Sequence, residues 1–182
     1  MNIYVKAYLD KNYGDDLMLV RLAGAVDPSC VLYINCEKPM EDYYHNLLKE
    51  FSNYKFIQCP LRNIHRYGKN FFACILLIGG SVLQGNSLKG CFYRFLNTCE
   101  IGFMRARGTP YAIVDCNTGP FINRITESFV RGELRQAALV TTRDSASLKF
   151  IKNSISKRAR VYQYPDMLMT AAQILCGKDR EI

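Results

Sequence analysis

Apolar runs bounded by turn residues alternate with amphipathic stretches along the chain, and this alternation is its dominant pattern. Residues 3–8, 31–34, 54–59, 73–78, 111–114, 137–141 and 161–164 have the length and the apolar, often β-branched or aromatic, content of strands. Residues 73–78 form an apolar run broken only by Cys74, as expected of a strand buried on both faces.

Helical spacing fills the gaps. Asp15 or Asp16 is placed to cap a helix whose apolar side is Leu17, Leu19, Val20, Leu22 and Ala23. Residues 39–51 put Tyr43, Leu47, Leu48 and Phe51 on one side. Residues 91–107 carry Phe92, Phe95, Leu96, Cys99, Phe103 and Met104 at helical spacing. Residues 122–136, a segment with Leu148, Ile151 and Ile155, and residues 167–175 give three more helices. Residues 61–70 are basic and irregular, a loop or a short helix. The alternation predicts an α/β, Rossmann-like, three-layer domain with a mostly parallel sheet of about seven strands. Residues 1–177 form one such domain, with 178–182 as a tail.

Composition narrows the class. The chain of 182 residues is 49% hydrophobic and 22% charged, which suits one domain with a real core. No apolar run is long enough to span a bilayer, and the N-terminus lacks the pattern of a secretion signal, so a cytoplasmic location is expected. The eight cysteines are scattered, with no C-x-x-C pair, and His45 and His65 have no metal-ligand spacing to them. Buried thiols in a reducing compartment are therefore expected, and no metal site. The net charge of +8 is spread over residues 62–69, 105–107 and 149–160. That suits phosphate, acidic sugars or an anionic membrane surface, or a plain solvated face, and gives no aromatic-interleaved stripe of a nucleic-acid binder.

Four loops follow strands and precede helices: residues 12–16, 79–84, 117–121 and 143–147. A parallel sheet places all four along one carboxyl edge, where ligands of open α/β sheets bind. Asn12, Gly14 and Asp15 offer either a ligand contact at a helix start or a turn with its cap. Gly79-Gly80-Ser81, with Gln84, offers close backbone approach to a phosphate or a sugar, or a tight turn; it is neither a dinucleotide fingerprint nor a Walker loop. Asn117 and Gly119 belong to a loop whose Gly-Pro pair shapes a pocket floor or makes a rigid turn. Arg143 offers a planar fork of donors for a carboxylate or phosphate, or pairs internally with Asp144.

The ordered set Asn12-Tyr13-Gly14-Asp15-Asp16, Ile78-Gly79-Gly80-Ser81-Val82-Leu83-Gln84, Gly119-Pro120-Phe121 and Thr142-Arg143-Asp144-x-x-Ser147 resembles the polysaccharide pyruvyl transferase family. The resemblance implies transfer of the pyruvyl group of phosphoenolpyruvate onto a sugar hydroxyl pair as a ketal, in surface-polysaccharide synthesis. No cofactor is expected, and the resemblance implies a glycan or lipid-linked sugar acceptor, reached in the cytoplasm or at the inner membrane surface. It implies a fold similar to one half of a GT-B glycosyltransferase, so that this chain is the N-terminal half. A second domain or a homo-oligomer would then complete the cleft, with Arg143 facing the anionic donor. The sequence departs from the family pattern at Asp115-Cys116, where Gly-Gln is usual, and at Ser81, where a third glycine is usual. The catalytic groups stay unassigned. Half of a nucleotide-sugar glycosyltransferase and a non-catalytic Rossmann-like binding module remain alternatives.

Overall fold

The computed structural model describes residues 1–80, 83–85, 87–155 and 159–164. Ser81, Cys176 and the helix expected at residues 167–175 lie outside the described residues.

All seven expected strands are present and parallel. They are β1 (Asn2–Ala7), β2 (Val31–Asn35), β3 (Tyr54–Ile57), β4 (Cys74–Ile78), β6 (Tyr111–Cys116), β8 (Leu139–Thr142) and β9 (Arg160–Gln163), in the order β3-β2-β1-β4-β6-β8-β9. Two further short strands, β5 (Leu83–Gly85) and β7 (Thr118–Phe121), pair with each other as a separate parallel ribbon. They occupy segments expected to be loops. Three or four residues containing glycine and proline carry no alternation that would mark a strand.

The helices are α1 (Tyr13–Ala25), α2 (Glu41–Leu47), α3 (Leu88–Ala106), α4 (Arg124–Gln136) and α5 (Ser145–Lys152). Leu61–Tyr67 is a 3₁₀ helix, which resolves the loop-or-helix alternative for the basic connector. One face of the sheet packs on α1 and α2 through Val5, Leu19, Val20, Ile34, Tyr44, Leu48, Leu76 and Ile78. The other face packs on α3, α4 and α5 through Tyr4, Ile75, Leu77, Ile101, Ile113, Leu134 and Ile151. This gives three layers. The strand order runs one way from β1 and the other way from β4, so the topological switch point lies between these two neighbours.

Local details differ from expectation in two helices. Asn12, not Asp15 or Asp16, caps α1: its side-chain oxygen accepts the Gly14 N–H at 3.1 Å. In α2 it is Tyr44 and Leu48 that enter the core, while the Tyr43 hydroxyl donates to the buried Asp16 carboxylate at 2.6 Å. The seven described cysteines are unpaired thiols.

The largest departure is α3. Its aromatic stripe points away from the sheet: Phe92, Phe95, Leu96 and Phe103 are exposed. The buried line at the same period is Arg94, Asn97, Ile101 and Met104. Glu133 of α4 explains the rotation. It is fully buried, and Asn97 Nδ2 donates to it at 2.8 Å while Arg94 Nη1 lies at 3.2 Å. Lys6 of β1 donates to Asn97 Oδ1 at 2.6 Å. A buried carboxylate without partners is strongly unfavourable, so α3 turns its polar line inward to meet it.

Removing one partner should therefore cost more than removing both. Glu133→Ala is expected to lower the unfolding free energy by about 3–5 kcal/mol, because it leaves Arg94 buried and uncompensated. Arg94→Met combined with Glu133→Leu should recover most of that loss. Urea denaturation of the two variants checks the order.

Candidate functional site

The carboxyl edge of the sheet gathers the loops that follow β1, β4, β6 and β8. Gly79 ends β4 with φ 140°, a backbone conformation that favours glycine, and turns the chain outward. The next residue, Gly80, lies under the Arg143 guanidinium: a Cβ there would sit 2.1 Å from Arg143 Nη2. Only a glycine permits this approach. The Gly80 carbonyl accepts the Asn117 N–H at 2.7 Å, and Asn117 Oδ1 accepts Arg143 Nε at 3.0 Å. From the other side the Gly80 N–H donates to the Asp15 carboxylate, which also feels the Arg143 charge. Asp15, from the first turn of α1, and Gly80, Asn117 and Arg143, from the segments after β4, β6 and β8, thus come into one cluster.

The remaining sequence-derived candidates stand around it. Asn12 lines the adjoining cavity, but its side chain also holds the Gly14 N–H, so this helix start is capped by its own chain. Asp144 caps α5, accepting the Ser147 N–H at 2.7 Å. Although burial opposes it, bonds from Ser147 hold the Asp144 carboxyl below its ordinary value. Gln84 and Gly119 belong to the β5–β7 ribbon, beyond the cluster. His45, bonded to Tyr54, lies on α2, and His65 on the 3₁₀ helix.

A cavity of about 610 Å³ opens beside the cluster. It is lined by the end of β1 (Lys6, Ala7, Tyr8), by Asn12 and Asp15, by Leu77 of β4, and by Tyr93, Arg94 and Asn97 of α3. It therefore sits at the β1/β4 switch point, where ligands of doubly wound sheets bind. Lys6 Nζ lies 4.9 Å from the centre of the Tyr93 ring, which braces the ammonium at the cavity wall.

Lys6, Tyr93, Arg94 and Asn97 are functional candidates that sequence reasoning missed. Lys6 is hidden inside a strand. The α3 residues are hidden by the aromatic stripe, which suggests the opposite face as the buried one. The available signal was the 3-4-3 spacing of Arg94, Asn97, Ile101 and Met104.

Asp15 is the carboxyl that lies at both cavity and cluster. Burial, and then the neighbouring Asp16, raise its pKa, against the pull of Arg143 and the Gly80 N–H. The cavity thus offers a half-buried acid next to a guanidinium and an ammonium. Such a set has the chemistry to bind an anion and to move a proton.

The family model of polysaccharide pyruvyl transferase matches residues 12–178, most of the chain. The chain belongs to the polysaccharide pyruvyl transferase family. No curated protein gives a significant match. The match spans the four loops and α3, so for this member of the family the cluster and the switch-point cavity together are the candidate site. A transferase of this type acts on a polysaccharide acceptor.

The raised Asp15 pKa has a signed consequence. The folded chain keeps this proton to a higher pH than the unfolded chain, where aspartate titrates near about 3.9. Its contribution to stability is therefore full below the unfolded value and is lost as pH rises through the folded value. Asp15→Asn should flatten that part of the stability–pH curve and be more stable than the parent at neutral pH. Thermal melts at a series of pH values between acid and neutral check this.

Proposed function

We propose that this chain is the donor-handling N-terminal half of a pyruvyl transferase. It would carry the pyruvyl group of phosphoenolpyruvate onto a pair of sugar hydroxyls in surface-polysaccharide synthesis. The observation that carries this is the meeting of Asp15, Gly80, Asn117 and Arg143 beside an open cavity at the switch point, in a chain of this family. Phosphoenolpyruvate has a carboxylate and a phosphate. The Arg143 guanidinium takes one of them as a bidentate partner, and Lys6 at the cavity wall offers a second positive charge.

The chemistry is redox-neutral. A proton adds to the methylene carbon, and positive charge develops on the carbon bearing the carboxylate. One sugar hydroxyl adds there, phosphate leaves, and the second hydroxyl closes the ketal. Of the two hydroxyl protons, one is balanced by the new methyl hydrogen and one ends on phosphate. Asp15 is the group we assign to the proton delivery: it lines the cavity, and burial with the neighbouring Asp16 raises its carboxyl pKa. Asn12 and Tyr93, which line the cavity, would hold the sugar. Gln84, with Gly14, Gly79 and Gly119, would shape the surrounding loops. A second domain or a second copy of the chain would close the cleft and bring further basic groups. The acceptor would be a glycan or a lipid-linked sugar, met in the cytoplasm at the inner membrane surface. The open cavity favours this reading over a non-catalytic module, whose carboxyl edge would be filled by its own side chains.

Phosphate release from phosphoenolpyruvate and an acceptor glycan, by the chain together with its complementary domain, tests the assignment. No release from the complete system overturns it. Arg143→Lys should reduce kcat/KM by about 10- to 100-fold, since the bidentate contact to a charged group is lost. Gly80→Ala tests the geometry separately. Its new methyl displaces only the flexible end of Arg143, so stability should change by less than about 1 kcal/mol. Protection of the fold by phosphoenolpyruvate in a thermal-shift assay should nevertheless disappear.

A further inference from the structure

Helix α3 presents its most apolar line to the surface. Leu88 is 76% exposed and Phe92 61% exposed, and Phe95 and Phe103 continue the line at helical spacing. The neighbouring α4 extends it: Phe129 packs on Phe95 with ring centroids 5.4 Å apart, and Ile125 is exposed beside Arg124. The result is a continuous aromatic and aliphatic face across two adjacent helices. Contiguous apolar surface of this kind marks an interaction site.

The charge around the face indicates what covers it. Exposed basic residues stand at both ends of both helices: Lys89 and Arg105 on α3, Arg124 and Arg135 on α4. The two helices carry three acidic residues, of which Glu100 on α3 is only part-buried while the two on α4 are withdrawn. Glu133 is buried under Arg94, and Glu127 is held by Arg131 at 2.7 Å. The chain as a whole carries +8. An aromatic stripe with a basic rim is the pattern of a helix lying in the plane of a bilayer interface, its rings among the acyl chains and its cations at anionic headgroups. A second copy of the chain fits less well, because two such faces would bring like-charged rims together.

We propose that the α3–α4 face docks this protein on an anionic phospholipid bilayer. The geometry gives the docking a use. The outer line of α3 would meet the membrane while Tyr93, Arg94 and Asn97 of the same helix line the switch-point cavity. Docking through α3 therefore holds the cavity close to the membrane surface, within reach of a lipid-anchored acceptor. The inference deepens the membrane location proposed above and does not depend on the transfer chemistry.

Flotation of the full chain with vesicles tests it. The protein should float with vesicles of phosphatidylglycerol and phosphatidylethanolamine and remain unbound with phosphatidylcholine alone. Leu88→Ser with Phe92→Ser should weaken this binding by about tenfold or more, and the exposed positions leave the thermal melt unchanged. Lys89→Glu with Arg124→Glu, or high salt, should weaken it as well. Absence of binding to the anionic vesicles overturns the proposal, as does equal binding by both double variants. A concentration-dependent dimer in sedimentation that the serine substitutions dissolve also overturns it, in favour of a second copy on the face. Loss of phosphate release with vesicle binding intact would strike the transfer chemistry alone.

Discussion

A single buried carboxylate orders this molecule beyond its sheet. Glu133 is withdrawn completely from water in the middle of α4. Burial pushes its carboxyl upward, while Arg94, Asn97 and Lys6 pull it back. Those partners come from α3 and, through Asn97, from β1. Without them the charge is untenable in a medium of low dielectric. Their line on α3 therefore faces the sheet, and the aromatic line must face outward. The cavity wall and the exposed apolar face are two sides of one helix, fixed by one electrostatic requirement.

The same network joins the sheet to the site. Lys6 pairs across β1 to Leu77 of β4, so the two strands of the switch point and α3 are tied in one connected set of contacts. The Lys6 ammonium reaches the cavity because Asn97 and the Tyr93 ring hold it there. On the opposite wall, Asp15 is held by a backbone N–H of the β4 loop and by the charge of Arg143. Each wall is thus positioned by partners from a different strand, which is the arrangement a rigid binding site requires.

Much of this was legible in the sequence, and the rest was hidden for identifiable reasons. The seven main strands are readable because buried parallel strands need unbroken apolar runs. The convergence of Asp15, Gly80, Asn117 and Arg143 is readable too, since a parallel sheet puts every such loop on one edge. The rotation of α3 is not. Periodicity identifies an apolar face but not which way it points. The partner that decides it, Glu133, lies 36 and 39 residues away from Asn97 and Arg94. The cap of α1 was ambiguous because Asn12, Asp15 and Asp16 are all capping residues within five positions, and the first to reach a free N–H takes the role. The β5–β7 ribbon depends on pairing between segments too short to announce themselves.

Asp115 and Cys116, the last two residues of β6, are where the chain departs from the pattern that the resemblance implies. Asp115, where the resemblance implies a glycine, has a φ of 59°, in the left-handed region that glycine enters freely. Aspartate tolerates this conformation better than most residues, so the backbone path survives the exchange. The Thr141 hydroxyl accepts the Asp115 N–H at 2.9 Å, and the β6–β8 register shifts here. That turn sends Asn117 toward Gly80 and Arg143. Cys116, where the resemblance implies a glutamine, is buried, and burial pushes its thiol up to about 12, which leaves it a packing residue and not a nucleophile. Both residues are buried, so against the pattern that the resemblance implies they set a carboxyl and a small thiol into the turn that leads to Asn117.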